Sequence, residues 1–158
     1  MPFVASRPRL DLEDYLPYLV NRVGVALAVE FGRDALARRG LSIEMWRVLA
    51  VLSSNGEHRQ IDLGDMTSID ISTLSRMVTR LARMELVART RSATSNREVG
   101  IRLTAKGRTV VARLIPLAQA YEKAAMDGVA AADLAALKRA LRRMHANLAP
   151  ARQKPRRG

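Results

Sequence analysis

Apolar positions along this chain recur with two periods, three-to-four and two, and the changes of period divide it into segments. Over residues 11–38, Leu12, Tyr15, Leu16, Leu19, Val20, Val23, Leu27 and Phe31 keep to one broad face, which predicts a long helix. Asp11, Glu13 and Asp14 fall near its N-terminal end, where the helix dipole favours negative charge, and Arg38-Arg39-Gly40 reads as its end. Pro17 marks either the start of the regular helix or a kink in it. A second helix is expected over 43–54, capped by Ser42, with Trp46, Leu49, Ala50 and Leu52 on its apolar side and Asn55-Gly56 after it. Residues 56–60 read as a polar connector. A short helix over 61–68 is expected to turn Ile61, Leu63, Met66 and Ile69 inward.

Asp70 then stands where an N-cap belongs, and Leu74, Met77, Val78 and Leu81 form the apolar stripe of the next helix. At Leu86 the period drops to two. Residues 86–91 alternate, a polar stretch covers 92–97, and Val99, Ile101 and Leu103 alternate again, which predicts a β-hairpin with a long tip. Thr104 can cap a further helix that runs to about residue 127 and contains Pro116. Gly128 separates it from a last helix over 131–148, in which Leu134, Leu137, Leu141, Met144 and Leu148 repeat at three and four. Residues 1–10 show no period and read as a flexible arm; residues 149–158 read as a disordered basic tail.

Composition narrows what these elements can do. With 27 Lys+Arg against 15 Asp+Glu the chain carries a net charge of +12, which favours a polyanionic partner, nucleic acid first. No apolar run approaches the roughly 18 residues that span a bilayer, and the N-terminus lacks a signal-peptide pattern, so the expectation is a cytoplasmic protein without a membrane partner. Cysteine is absent, and the two histidines, His58 and His145, lie far apart. A metal site, a redox thiol and histidine-based catalysis are therefore not expected, and with no nucleophile–base pair or Gly-rich phosphate loop the chain is not read as an enzyme or a cofactor binder.

Two short helices joined by a tight turn, the second basic and rich in hydroxyls, make a helix-turn-helix, and a hairpin directly after it makes a wing. Between Ile71 and Met84 there is no acidic residue. Ser72, Thr73, Ser75, Arg76, Thr79 and Arg80 on the second helix are thus candidates for phosphate and base contacts in a major groove. Arg91, Asn96 and Arg97 at the wing are candidates for the DNA backbone or the minor groove. The fold class is then mainly α with a small β-hairpin wing. The winged helix-turn-helix covers 43–103, and the helices of 11–42 and 104–148 have apolar faces that a second copy would bury about a twofold axis. Tyr15, Tyr18 and Arg22 share a face of the first helix, and Trp46 is placed to close the other side of a pocket for a small aromatic carboxylate. Two functional classes stay open at this point. One is a sequence-specific regulator, with or without a ligand; the other is a non-specific architectural DNA-binding protein.

The order of elements resembles the MarR family of bacterial transcriptional regulators over about residues 11–148. The resemblance is carried by Leu41-Ser42 and the segment 46–52, by 72–81, by Leu86-Val87-Ala88-Arg89, and by Asn96-Arg97 running into Val99 to Thr104 and Gly107. It implies a dimeric winged helix-turn-helix protein, usually a repressor, that often responds to small aromatic or phenolic acids. It also implies that 72–80 lies on the recognition helix and that Arg97 is the wing arginine that enters the minor groove. Two positions depart from the family pattern. Ser95 stands where an acidic residue usually orients that arginine. Glu85 stands where Gly usually precedes the first wing strand, so the recognition helix is expected to end differently.

Overall fold

Pro17 sets where the first helix begins. A proline has no N–H to give, which is tolerated only in the first turn of a helix. In the computed structural model, which describes residues 9–91 and 99–148, α1 accordingly spans Leu16–Phe31, with Pro17 in its first turn and Tyr15 at the cap. This corrects the single helix expected over 11–38. Asp11, Glu13 and Asp14 precede the helix rather than lying in its first turn. Its far end also changes geometry, through a π-helical segment Gly32–Leu36 and a 3-10 turn Ala37–Arg39, to Gly40 at φ 65°. Only Phe31 of α1 is buried; Leu19, Val20 and Val23 stand exposed.

α2 (Ile43–Asn55) is capped as the sequence suggests, with the Ser42 hydroxyl accepting from the Met45 amide at 3.2 Å, and it buries Met45, Val48, Leu49 and Leu52. The connector expected after it contains a strand. β1 (His58–Arg59) pairs antiparallel with the second wing strand, placing His58 opposite Ile101 and Arg59 opposite Gly100. Two residues are too few to show a period, so the pattern alone did not reveal it. α3 (Gln60–Thr67) buries Leu63 and Thr67, one turn apart, and the Thr67 hydroxyl is satisfied by the Leu63 carbonyl. Ile61 and Met66 stand exposed, which corrects the inward placement expected for them. In so short a helix the face is fixed by where it meets α2 and α4, not by an average over turns.

α4 (Ile71–Arg83) buries Leu74, Val78 and Leu81, with Met77 packed against the core. β2 (Val87–Arg91) and β3 (Val99–Leu103) follow, paired from Val87–Leu103 to Arg91–Val99, and the three strands lie in the order β1-β3-β2. Ile101 and Leu103 turn into the core, as their alternation predicts. The fold is thus mainly helical with a small three-stranded antiparallel sheet, the winged-helix arrangement.

α5 (Ala105–Ala125) contains Pro116, and α6 (Ala131–Leu148) follows Gly128 at φ 76°. The chain divides into two compact units between Tyr121 and Glu122. The core described above belongs to the first. In the second, Lys138 pairs with Glu122 at 2.9 Å. Apart from Arg9 and Leu10, the expected arm lies outside the described residues, as do the expected tail over 149–158 and the wing tip over 92–98.

Candidate nucleic-acid interface

The turn between α3 and α4 is closed by two backbone features. Ser68 takes a left-handed conformation, φ 57°, and the Ile69 amide reaches back to the Gly64 carbonyl at 3.2 Å. Gly64 lets the two helices meet: a Cβ there would lie 3.3 Å from the Ile69 carbonyl oxygen, with Ile71 and Leu74 just behind. α4 then starts on Asp70, whose Oδ1 accepts from the Ser72 hydroxyl at 2.6 Å and from the Thr73 amide at 2.9 Å. These bonds, that from Ser72 foremost, hold the Asp70 carboxyl far below the usual carboxylate range.

At the other end, α4 closes in the manner that Glu85 was expected to prevent. Glu85 adopts φ 61°, its amide bonds the Ala82 carbonyl at 2.9 Å, and the Leu86 amide bonds the Leu81 carbonyl at 3.0 Å. This is a Schellman motif built on a non-glycine residue. The expectation of a different ending is therefore corrected. The left-handed geometry is enforced from outside the helix: Thr104 donates its hydroxyl to the Glu85 carbonyl at 2.6 Å, and Lys106 pairs with the Glu85 carboxylate at 3.0 Å.

With both ends fixed, the apolar stripe of α4 faces the core and the opposite face is open. Ser72, Arg76 and Arg80 are exposed; Thr73, Ser75 and Thr79 are half-buried at its flanks. Arg76 donates to the Thr73 hydroxyl at 3.3 Å, and Arg80 to the Gly40 carbonyl at 3.3 Å. Two further arginines, outside the set of contacts expected from the sequence, share this surface. Arg83 is exposed and follows Ser72, Arg76 and Thr79 at steps of four, three and four, the helical signal that would have found it. Arg89 on β2 donates to the Thr79 hydroxyl at 2.8 Å and so ties the wing to α4. Arg91 is the last residue of β2, opposite Val99, and Asn96, Arg97 and Ser95 fall outside the described residues.

The four residues expected to line a ligand pocket separate into two groups. The Arg22 guanidinium lies 5.6 Å from the centre of the Tyr18 ring, while Tyr15 caps α1 and is exposed. Trp46 meets Phe31 edge-on at 5.4 Å, and Phe31 meets Tyr121 at 5.8 Å. Tyr121 donates its hydroxyl to Asp34 at 2.7 Å, a bond that holds its proton on. An open cavity of about 310 Å³ lies instead at the exit of α4, with Leu41, Met84, Leu86 and Val110 as walls and Arg39 and Lys106 at its edges.

The family model described as the MarR family matches residues 41–99, the stretch from the loop before α2 to the start of β3. A solved MarR-family transcriptional regulator from Silicibacter pomeroyi is 30% identical, covers 92% of this chain and 100% of its own, and superposes with a TM-score of 0.82. The chain belongs to the MarR family. It is thereby a DNA-binding transcriptional regulator by family, and members of the MarR family are regulators, not enzymes. The MarR-family regulator AbsC from Streptomyces coelicolor is 26% identical, with 90% of this chain and 98% of AbsC covered and a TM-score of 0.77. BpsR from Bordetella bronchiseptica, whose DNA binding is regulated by 6-hydroxynicotinic acid, is 25% identical, with 82% and 97% covered and a TM-score of 0.74. No curated protein matches the chain. Among the described residues of this MarR-family chain, no helix is long and apolar enough to cross a membrane, and no cluster of His, Asp or Glu is arranged to hold a metal.

Proposed function

We propose that the chain acts as a homodimeric repressor of a pseudo-palindromic operator, with α4 in the major groove and the wing beside it. The observation that carries this is the open face of α4: hydroxyls and arginines with no carboxylate from Ile71 to Met84, held at both ends by a cap and a Schellman turn. Its DNA-facing surface comprises Ser72, Thr73, Ser75, Arg76, Thr79 and Arg80, joined by Arg83. Arg91, Asn96 and Arg97 extend it along the wing. Support for the dimer comes from the apolar side chains that α1 leaves exposed, which a second copy would cover while setting two copies of α4 one helical turn of DNA apart. A gel-shift titration with DNA flanking the chain's own gene, under excess competitor DNA, tests the reading. Binding that survives the competitor supports it. Binding lost in proportion to competitor makes the chain a non-specific architectural protein driven by its +12 charge.

We further propose that a small aromatic carboxylate releases the repressor. BpsR, whose DNA binding is regulated by 6-hydroxynicotinic acid, supports a ligand of this class, and the Tyr18–Arg22 pair offers an aromatic ring and a cation for it, with Trp46 set apart against Phe31. Thermal shift with benzoates, hydroxycinnamates and 6-hydroxynicotinate tests this; a flat response to all of them makes the regulator independent of such acids.

A further inference from the structure

The hydroxyl of Thr79 sits on the open side of α4, but its one proton is already engaged within the protein. It carries one proton and two lone pairs. The proton goes to the Ser75 carbonyl one turn back, at 2.9 Å, and the oxygen accepts from Nη2 of Arg89 at 2.8 Å. No proton remains for an acceptor on DNA. What the hydroxyl does hold is a guanidinium.

Strand geometry delivers that guanidinium. Val87 and Arg89 lie two residues apart on one face of β2. Val87 is buried, and its cross-strand partner Leu103 and that of Arg89, Ile101, are buried with it. The face therefore turns toward the core that α4 covers, and the long side chain of Arg89 runs out along it to the edge of α4. A guanidinium has five N–H groups in a rigid fork, and Thr79 occupies one end of it. The remaining N–H groups stand between the helix and the wing, where the backbone of a duplex would pass if α4 occupied its groove.

We propose that Arg89 contacts a phosphate at this point and that Thr79 is its positioning residue, acting on DNA through Arg89 and not by its own hydroxyl. The proposal rests on α4 being the DNA-reading helix. It makes Thr79 dependent on Arg89: once Arg89 is removed, losing Thr79 costs nothing more. A phosphate contact carries no base information but fixes the register in which Arg76 and Arg80 meet the bases.

The test uses the full chain and a duplex that the wild type selects from a randomised pool. Affinity is measured over a range of salt for the wild type, Thr79→Val, Thr79→Ser, Arg89→Gln and Thr79→Val/Arg89→Gln, with thermal melts to confirm folding. Arg89→Gln keeps the stem and the packing but removes the charge; it is expected to bind about tenfold more weakly and to lower the salt slope by about 0.9, one phosphate's share. Thr79→Val is expected to lose about three- to fivefold, Thr79→Ser to stay within about twofold, and the double variant to bind no more weakly than Arg89→Gln. Losses that multiply in the double variant would show that Thr79 contacts DNA by itself and overturn the proposal, as would an unchanged salt slope for Arg89→Gln. A wild type that enriches no sequence fails the regulator reading instead, so the two failures are distinct.

Discussion

Gly107 stands in the first turn of α5, and its amide is bonded to the Thr104 hydroxyl at 2.9 Å. A Cβ at this position would overlap the carbonyl oxygen of Leu86, with Leu103 close behind. The neighbour is backbone, held by the Thr104 amide at 3.1 Å, so it has no rotamer by which to give way. Gly107→Ala should therefore destabilise the chain by about 3 kcal/mol, a fall in Tm of about 6–12 °C by thermal melt. Glu85 is the opposite case, a side chain where glycine would be easier. Its φ of 61° costs a non-glycine residue about 1 kcal/mol, and its ion pair with Lys106 is exposed and returns little. Glu85→Gly should raise Tm by about 2–4 °C, while Glu85→Ala, which keeps the strain, should not. A melt in which Ala and Gly behave alike would show that the left-handed backbone carries no strain here.

At the scale of the element, α4 is held by what lies at its ends, and its cap makes that hold depend on pH. The Asp70 carboxyl lies below its ordinary value of 3.8 because the Ser72 and Thr73 bonds favour the charged form. A depressed carboxylate contributes stability that is fully present above the unfolded value and is lost as pH falls through the folded one. Asp70→Asn keeps a capping oxygen without the titration. The wild type should therefore be the more stable of the two at pH 6 and lose that lead as the pH drops below about 4. Melts of both proteins across that range check it; a difference that does not change with pH would mean the charge is not what caps α4. The same element shows what a sequence can and cannot disclose. The stripe Leu74, Val78, Leu81 was legible because thirteen residues give the period room to repeat. α1 was overextended at both ends: apolar spacing continues through the π and 3-10 segments, where only the hydrogen-bond pattern changes. β1 was missed because two residues have no period, and the inward face of α3 was misplaced because eight residues hardly have one. Of the candidate interface, the hydroxyls and arginines of α4 were readable from spacing. The bond from Arg89 to Thr79 was not, since it joins two elements through a register that only the folded sheet defines.

At the scale of the whole molecule, the exposed face of α1 is the feature that a single chain leaves unexplained. Leu19, Val20 and Val23 lie side by side on one face of a single helix, within little more than a turn, and Val23 is 58% exposed. Scattered apolar residues on a surface need no explanation, but a contiguous helical face of them does. If a second copy covers this face, the mass in solution is about 35 kDa, twice the 17.5 kDa of one chain. Val23→Asp then places a carboxylate in a desolvated interface, where an unpaired charge costs several kcal/mol. Because Val23 makes no part of the buried core of the chain, the variant should keep its helical circular dichroism while its mass falls to that of a monomer. Operator binding should fall with it, by far more than the loss of either half-site contact alone, since two copies of α4 on one rigid dimer bind as a linked pair. Light scattering and a gel shift on the same preparation decide the matter together. A dimer that persists in Val23→Asp places the interface elsewhere, and a monomer that still binds the operator at full affinity removes the twofold reading of the DNA altogether.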